Sequence, residues 1–247
     1  FVRSGSIPEL ELWEAHRAAK KKLLTYVGEA TGVVMDPNVL TLGFARRATA
    51  YKRPHLLFHD VDRLLQINGK GRLQIIYAGK AHPHDDNGKR LIQGIYGYRD
   101  NLRGKISIAF LPGYDMDIAL KLVSGVDIWL NTPLRPLEAS GTSGMKAAHN
   151  GVVNFSVLDG WWIEGHIEGF TGWSIGAMPT ETDRPGISDA EDAADLYQKL
   201  ENLIIPTYYD PNKSKWSRMM KNAISKNAYY FNCHRMMRRY VTEAYIR

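Results

Sequence analysis

The chain has 247 residues, 44% of them hydrophobic and 23% charged with both signs interspersed, the composition of an ordinary globular protein of one large or two small domains. No low-complexity tract occurs, which excludes collagen, coiled-coil and disordered classes. The longest apolar runs, such as Leu73–Ala78 and Val126–Leu130, fall well short of the roughly 18 to 20 residues a bilayer span requires, so no membrane partner is expected. The formal net charge of +6 and pI near 9.3 raise a nucleic-acid partner. The excess is dispersed, however, and Lys20–Lys22 and Arg235–Arg239 read as solvated basic faces of terminal helices, so no nucleic acid is expected. A single cysteine, Cys233, permits no intrachain disulfide, and the N-terminus shows no secretory pattern. Both point to a reducing, cytoplasmic setting. The opening FVRSGSIPELELWEAH, without an initiator Met, is that of a processed protein or a piece of a longer one.

In chain order, apolar residues at helical spacing predict an amphipathic helix over Leu10–Val27. A strand follows at Val39–Phe44 and leads into the cluster Arg46, Arg47, Lys52 and Arg53. Pro54–Ile67 reads as a helix with Pro in its first turn, and the continuously apolar Leu73–Ala78 as a strand buried on both faces. The alternation continues with a helix at Asp86–Asn101, a strand at Lys105–Phe110, a helix at Asp115–Val123 and a strand at Val126–Leu130. A short helix near Met145 and a strand at Val152–Leu158 follow, with Asp and Asn where helix N-caps belong. Five strands separated by helices predict an α/β, Rossmann-like parallel sheet with helices on both faces. Asp159–Gly186, rich in Gly and Trp, shows no period. Helices are predicted at Ser188–Ile204, Lys213–Ser225 and Tyr229–Tyr245, a helical C-terminal extension over about 187–247.

Ligands of such sheets bind at the carboxyl ends of the strands, so the loops GFARRATAYKR, LPGYD, NTPLRPLEASGTSG and LDGWWIEG should converge on one crevice. The segment EASGTSGMK places small and hydroxyl residues just before a helix N-terminus, where backbone N–H groups receive a phosphate; a tight turn that binds nothing is the plain alternative. Lys146 is expected in the first turn of that helix, where an amine near the positive dipole end suits nucleophilic chemistry. Arg47 and Lys52 suit a second oxyanion. The run HPHDD at His82–Asp86 reads as a loop or helix cap rather than a metal site, and no metal is expected. Trp161 and Trp162 suit either stacking on a sugar face or packing at an interface.

Together these loops resemble one family, the α-glucan (glycogen, starch or maltodextrin) phosphorylases. EASGTSGMK with AAHNGVVNFSVLDGWWIEG is similar to their cofactor-lysine segment, RRATAYKR to their phosphate-binding segment, FLPGYD to their FLxxY motif, and FNCHRMMRRYV to their C-terminal helix motif. The resemblance implies pyridoxal 5′-phosphate held covalently by Lys146. It places the cofactor phosphate among Arg46, Thr142, Ser143 and Gly144, with Tyr114 beside the ring. Arg47 and Lys52 then hold substrate orthophosphate as the catalytic pair, while Tyr51, Glu138, Ala139, Ser140 and Gly141 contact glucosyl hydroxyls. Ser143 and Gly144 depart from the GTGNMK of many members and resemble the shorter bacterial and archaeal branch, for which allosteric regulation is not expected.

The implied activity is reversible phosphorolysis of α-1,4-glucans to glucose 1-phosphate, and the implied architecture the C-terminal, cofactor-bearing domain of a B-type glycosyltransferase fold. A missing N-terminal domain and a homodimer partner are implied as well, so this chain alone should be nearly inactive. The rival readings are a nucleotide-sugar glucosyltransferase on the same fold, which needs no lysine at position 146, and a non-enzymatic nucleic-acid- or glucan-binding module.

Overall fold

The computed structural model describes residues 2–177 and 188–246. Its centre is one sheet of six strands: β1 (Leu40–Ala45), β2 (Leu73–Ala78), β3 (Ser107–Leu111), β4 (Ile128–Asn131), β5 (Val153–Val157) and β6 (Gly172–Ile175). All neighbours pair in parallel, in the spatial order β3-β2-β1-β4-β5-β6. Every residue of β1, β2, β4, β5 and β6 is buried, which is why these strands run apolar without alternation.

Helices cover both faces. One side packs α1 (Glu9–Thr31) and α4 (Met116–Gly125) on Ile76, Ala109 and Trp129, with Leu23, Val27 and Leu122 filling the layer. The other packs Leu42, Tyr77, Ile128 and Phe155 against α2 (Val61–Lys70), α7 (Asp189–Lys199), α8 (Ile205–Tyr209) and α9 (Ser214–Asn222), which contribute Leu64, Leu196, Tyr208 and Trp216. Three helices start at an aspartate cap: Asp60 accepts from Arg63 N, Asp85 from Gly88 N before α3 (Asp86–Asn101), and Asp115 from Ile118 N. The acidic end of HPHDD is therefore a cap, and no cluster of three or more His, Cys, Asp or Glu able to hold a metal occurs among the described residues. The short α5 (Thr142–His149) and α6 (Trp162–Gly165) flank β5, and α10 (Cys233–Tyr240) lies near the C-terminus.

Several expectations are corrected. The sheet has six strands rather than five, because Gly172–Ile175, inside the segment read as aperiodic, pairs with β5. Residues 178–186 of that segment lie outside the described residues. Pro54–Ile67 is not one helix: a 3₁₀ turn at Leu56–Phe58 precedes α2, which Asp60 starts. The C-terminal helices are interrupted by π-turns at Leu200–Ile204, Ala223–Ala228 and Val241–Tyr245.

Lys20 is the sharpest correction. Lys21 and Lys22 are exposed as expected, whereas Lys20 is 1% exposed and its ammonium lies 2.5 Å from Asp127 Oδ2, 2.7 Å from Val39 O and 2.9 Å from the Tyr208 hydroxyl. Asp127 also accepts from Thr41 N at 2.7 Å and contacts His16 Nε2 at 2.9 Å. This buried network sits at the amino ends of β1 and β4, opposite the loops that follow the strands. No helix among the described residues is long and apolar enough to cross a membrane.

Candidate active site

The chain leaves β1 toward β2 and β3 on one side, while β4, β5 and β6 extend the other side, so β1 and β4 flank the topological switch point. Loops leaving neighbouring strands in opposite directions open a crevice at such a point. The loop after β1 brings Arg46, Arg47, Tyr51 and Lys52 to it, and the loop after β4 brings Glu138, Ala139, Ser140 and Gly141.

The two loops are locked together by backbone. Leu134 N donates to Tyr51 O at 2.6 Å, and the Thr132 hydroxyl donates to the carbonyls of Lys52 and Arg53 at 3.0 Å. Arg53, expected only as part of a basic cluster, is structural: its guanidinium donates to Thr132 O and Pro133 O and pairs with Asp189 and Asp192.

The side chains meet on Glu138. Arg46, buried at the end of β1, places Nη1 2.9 Å from Glu138 Oε2, and its Nη2 donates to Ser143 Oγ at 3.2 Å. The Lys52 ammonium donates to the same Oε2 and lies 4.6 Å from the centre of the Tyr51 ring. Burial alone would push the Glu138 carboxyl up, but the Lys52 hydrogen bond and the Arg46 charge hold it below the usual carboxylate value. Glu138, expected as a sugar contact, is the counter-ion of the two cations. Burial pushes the half-buried Tyr114 hydroxyl up, while the Arg46 charge pulls it down, so Tyr114 stands within electrostatic reach of the cluster. Arg47 is exposed and forms no ion pair with any described residue.

Helix α5 supplies the third wall. It begins after Gly141, whose φ of 83° lies in the left-handed region that favours glycine, and its first backbone N–H groups have no acceptor inside the helix. Ser143 Oγ, besides meeting Arg46, accepts from Trp129 Nε1 at 3.2 Å. Gly144 is required by close approach, since an added Cβ would stand 2.6 Å from Asn154 Oδ1 and 2.9 Å from Trp161 Nε1. Lys146 falls in the last turn of this eight-residue helix rather than the first. Its side chain is exposed, and with Thr142, Met145 and His149 it lines a cleft of about 950 Å³ whose far wall includes Tyr230, Phe231 and His234.

The donor set suits a phosphorylated ligand with a carbonyl: a guanidinium, a hydroxyl and a helix N-terminus for the phosphate, and an accessible primary amine on the same helix. Trp161 and Trp162 are 4% and 0% exposed and pack on each other, with Trp161 against Phe231. They belong to a buried cluster with Ala148, Leu158 and Ala223 inside this chain and present no exposed face to a sugar. Asp159, which the sequence reading passes over, accepts from Glu138 N and Gly160 N, each at 2.9 Å. The only signal for it is the Asp-Gly pair directly after a strand.

An all-parallel α/β sheet with a basic crevice at its switch point defines a ligand-binding domain built for anions. Residues 8–170 match the family model for carbohydrate phosphorylase. The chain is 44% identical to the maltodextrin phosphorylase of Thermococcus litoralis across 97% of its own length and 30% of that protein. It is 44% identical to the glycogen phosphorylase of Aquifex aeolicus across 97% of its length and 37% of that protein, and 44% identical to that of Mycobacterium tuberculosis across 85% and 25%. The chain belongs to the carbohydrate phosphorylase family, whose fold is that of the B-type glycosyltransferases, and it spans about a third of the length of these curated relatives.

Proposed function

We propose that the chain is the cofactor-bearing, C-terminal part of an α-glucan phosphorylase, in which α-1,4-glucans are cleaved reversibly by orthophosphate to glucose 1-phosphate. The meeting of Arg46 and Lys52 on the Glu138 carboxylate, with Arg46 also bonded to Ser143 on the helix that carries Lys146, supports this reading most directly.

Lys146 would hold pyridoxal 5′-phosphate covalently, with Arg46, Thr142, Ser143 and Gly144 around its phosphate and Tyr114 beside its ring. When bound, that group supplies a second phosphate next to the substrate anion for proton transfer. Two neighbouring phosphates repel unless cations lie between them, which gives Arg46, Arg47 and Lys52 their purpose. Arg47 and Lys52 hold orthophosphate against the glycosidic bond. The orthophosphate protonates the leaving glycosidic oxygen, and its own oxygen then bonds to the anomeric carbon on the same face, so configuration is retained. Tyr51, Glu138, Ala139, Ser140 and Gly141 orient the glucosyl hydroxyls, the Glu138 carboxylate as acceptor.

A separate N-terminal domain would complete the crevice and the glucan groove, and a homodimer is the expected assembly of the whole cytoplasmic protein. The 247-residue chain alone is expected to release little glucose 1-phosphate. The reading is tested by calorimetric binding to the chain preloaded with pyridoxal 5′-phosphate: glucose 1-phosphate and orthophosphate should compete for one site. Preference for a nucleotide sugar over both would replace it with the synthase-type reading.

A further inference from the structure

The segment after β5 meets the Glu138 loop at three successive residues, Asp159 by its carboxylate and Gly160 and Trp161 by backbone. Asp159 is 6% exposed, and its two carboxylate oxygens take separate partners: Oδ2 accepts from Glu138 N and Oδ1 from Gly160 N, both at 2.9 Å. Trp161 N returns a hydrogen bond to Ser140 O at 2.8 Å. Between them Gly160 has φ 55°, and a Cβ there would stand 2.5 Å from Ser140 O and 2.9 Å from Glu138 O. The two backbones are therefore in contact, and the Trp161 indole closes over Gly141 and Gly144. Glu138 is held at both ends, its N–H by Asp159 and its carboxylate by Arg46 and Lys52.

We propose that Asp159 is a positioning residue for the sugar-binding loop: by fixing the Glu138 backbone it aims that carboxylate, and with Ser140 and Gly141 sets the glucosyl subsite. The inference rests on the role given to Glu138 above. A loop tied only by side-chain ion pairs slides with them; a charge-assisted bond to its backbone N–H fixes where the side chain starts. Burial raises the Asp159 carboxyl above its usual value, although the Glu138 and Gly160 N–H groups and the Arg135 charge pull it down.

The test compares the 247-residue chain with its Asp159→Asn variant, which keeps the shape but turns an NH₂ toward one of the two donors. Peptide-resolved hydrogen exchange should show the Glu138 and Trp161 amides protected in the unmodified chain. In the variant, exchange over 136–141 should rise about tenfold, with β2 and β3 unchanged. Glucose 1-phosphate affinity should fall about tenfold while inorganic phosphate, held from the β1 loop, stays within about twofold. Gly160→Ala, which pushes on the same loop sterically, should repeat the pattern if Asp159→Asn does not fold. Unchanged exchange over 136–141, or equal losses for both ligands, overturns the proposal. If the unmodified chain binds phosphate but no glucose 1-phosphate, the glucosyl reading of Glu138 fails, and the exchange result alone then decides whether Asp159 holds the loop.

Discussion

Arg46 Nη1 and Glu138 Oε2 lie 2.9 Å apart across the switch point, joining the loop that leaves β1 to the loop that leaves β4. Lys52 shares the same oxygen. One carboxylate thus lets two cations approach a common point with their mutual repulsion offset.

Glu138→Gln keeps the shape and removes that charge. It should destabilise the chain by about 2 kcal/mol in urea unfolding, the size expected for losing a charge-assisted pair. Inorganic phosphate should stabilise the variant more than the unmodified chain, since an anion replaces the missing charge. The carboxyl is held below the usual 4.5 in the folded state, so its contribution is full above that value and disappears as pH falls through the folded-state value. The two proteins should converge in acid; a constant difference across pH would refute the assignment.

Removing one partner of the Lys20–Asp127 pair leaves a buried charge behind. Lys20→Met is expected to cost about 3 to 5 kcal/mol, and the double change Lys20→Met with Asp127→Leu less than the sum of the single ones. Phosphate binding to whatever folded protein remains should be unaffected, because the network lies at the opposite ends of the strands. Guanidinium unfolding and calorimetry measure the two effects separately.

Glu168 makes a third, acid-sensitive point. Burial would raise its carboxyl, but hydrogen bonds from His166 and from the Ser174 backbone and hydroxyl, with Lys199 nearby, bring it from 4.5 down to about 2. Its stabilising effect is complete above pH 4.5 and lost as pH falls toward 2. Protection factors over 166–174, exchange rates divided by the intrinsic rate at each pH, should fall across that interval in the unmodified chain and stay constant in Glu168→Gln.

The parallel α/β architecture was legible because strands covered on both faces must be continuously apolar, as LQIIYA at Leu73–Ala78 is. β6 escaped notice for the same physical reason in reverse: GWSI is four residues long, opens on glycine and becomes a strand only by pairing with β5. Lys20 sits among apolar positions of a helix, and nothing local distinguishes a solvated lysine from one whose partner, Asp127, lies 107 residues away. In the site, the loops were legible as strand-end segments. The use of Glu138 as counter-ion to Arg46 and Lys52 was not, nor the tether from Asp159, since both depend on which loops the switch point brings together.

Lys146 is the residue proposed to carry the cofactor. The most direct measurement is the absorbance spectrum of the chain with pyridoxal 5′-phosphate before and after borohydride reduction, followed by peptide mapping. A single reduced adduct on Lys146 is predicted, abolished in Lys146→Ala. That variant should shift unfolding by less than about 0.5 kcal/mol, because the side chain is exposed. An adduct spread over other lysines, or one that survives Lys146→Ala, would contradict the account.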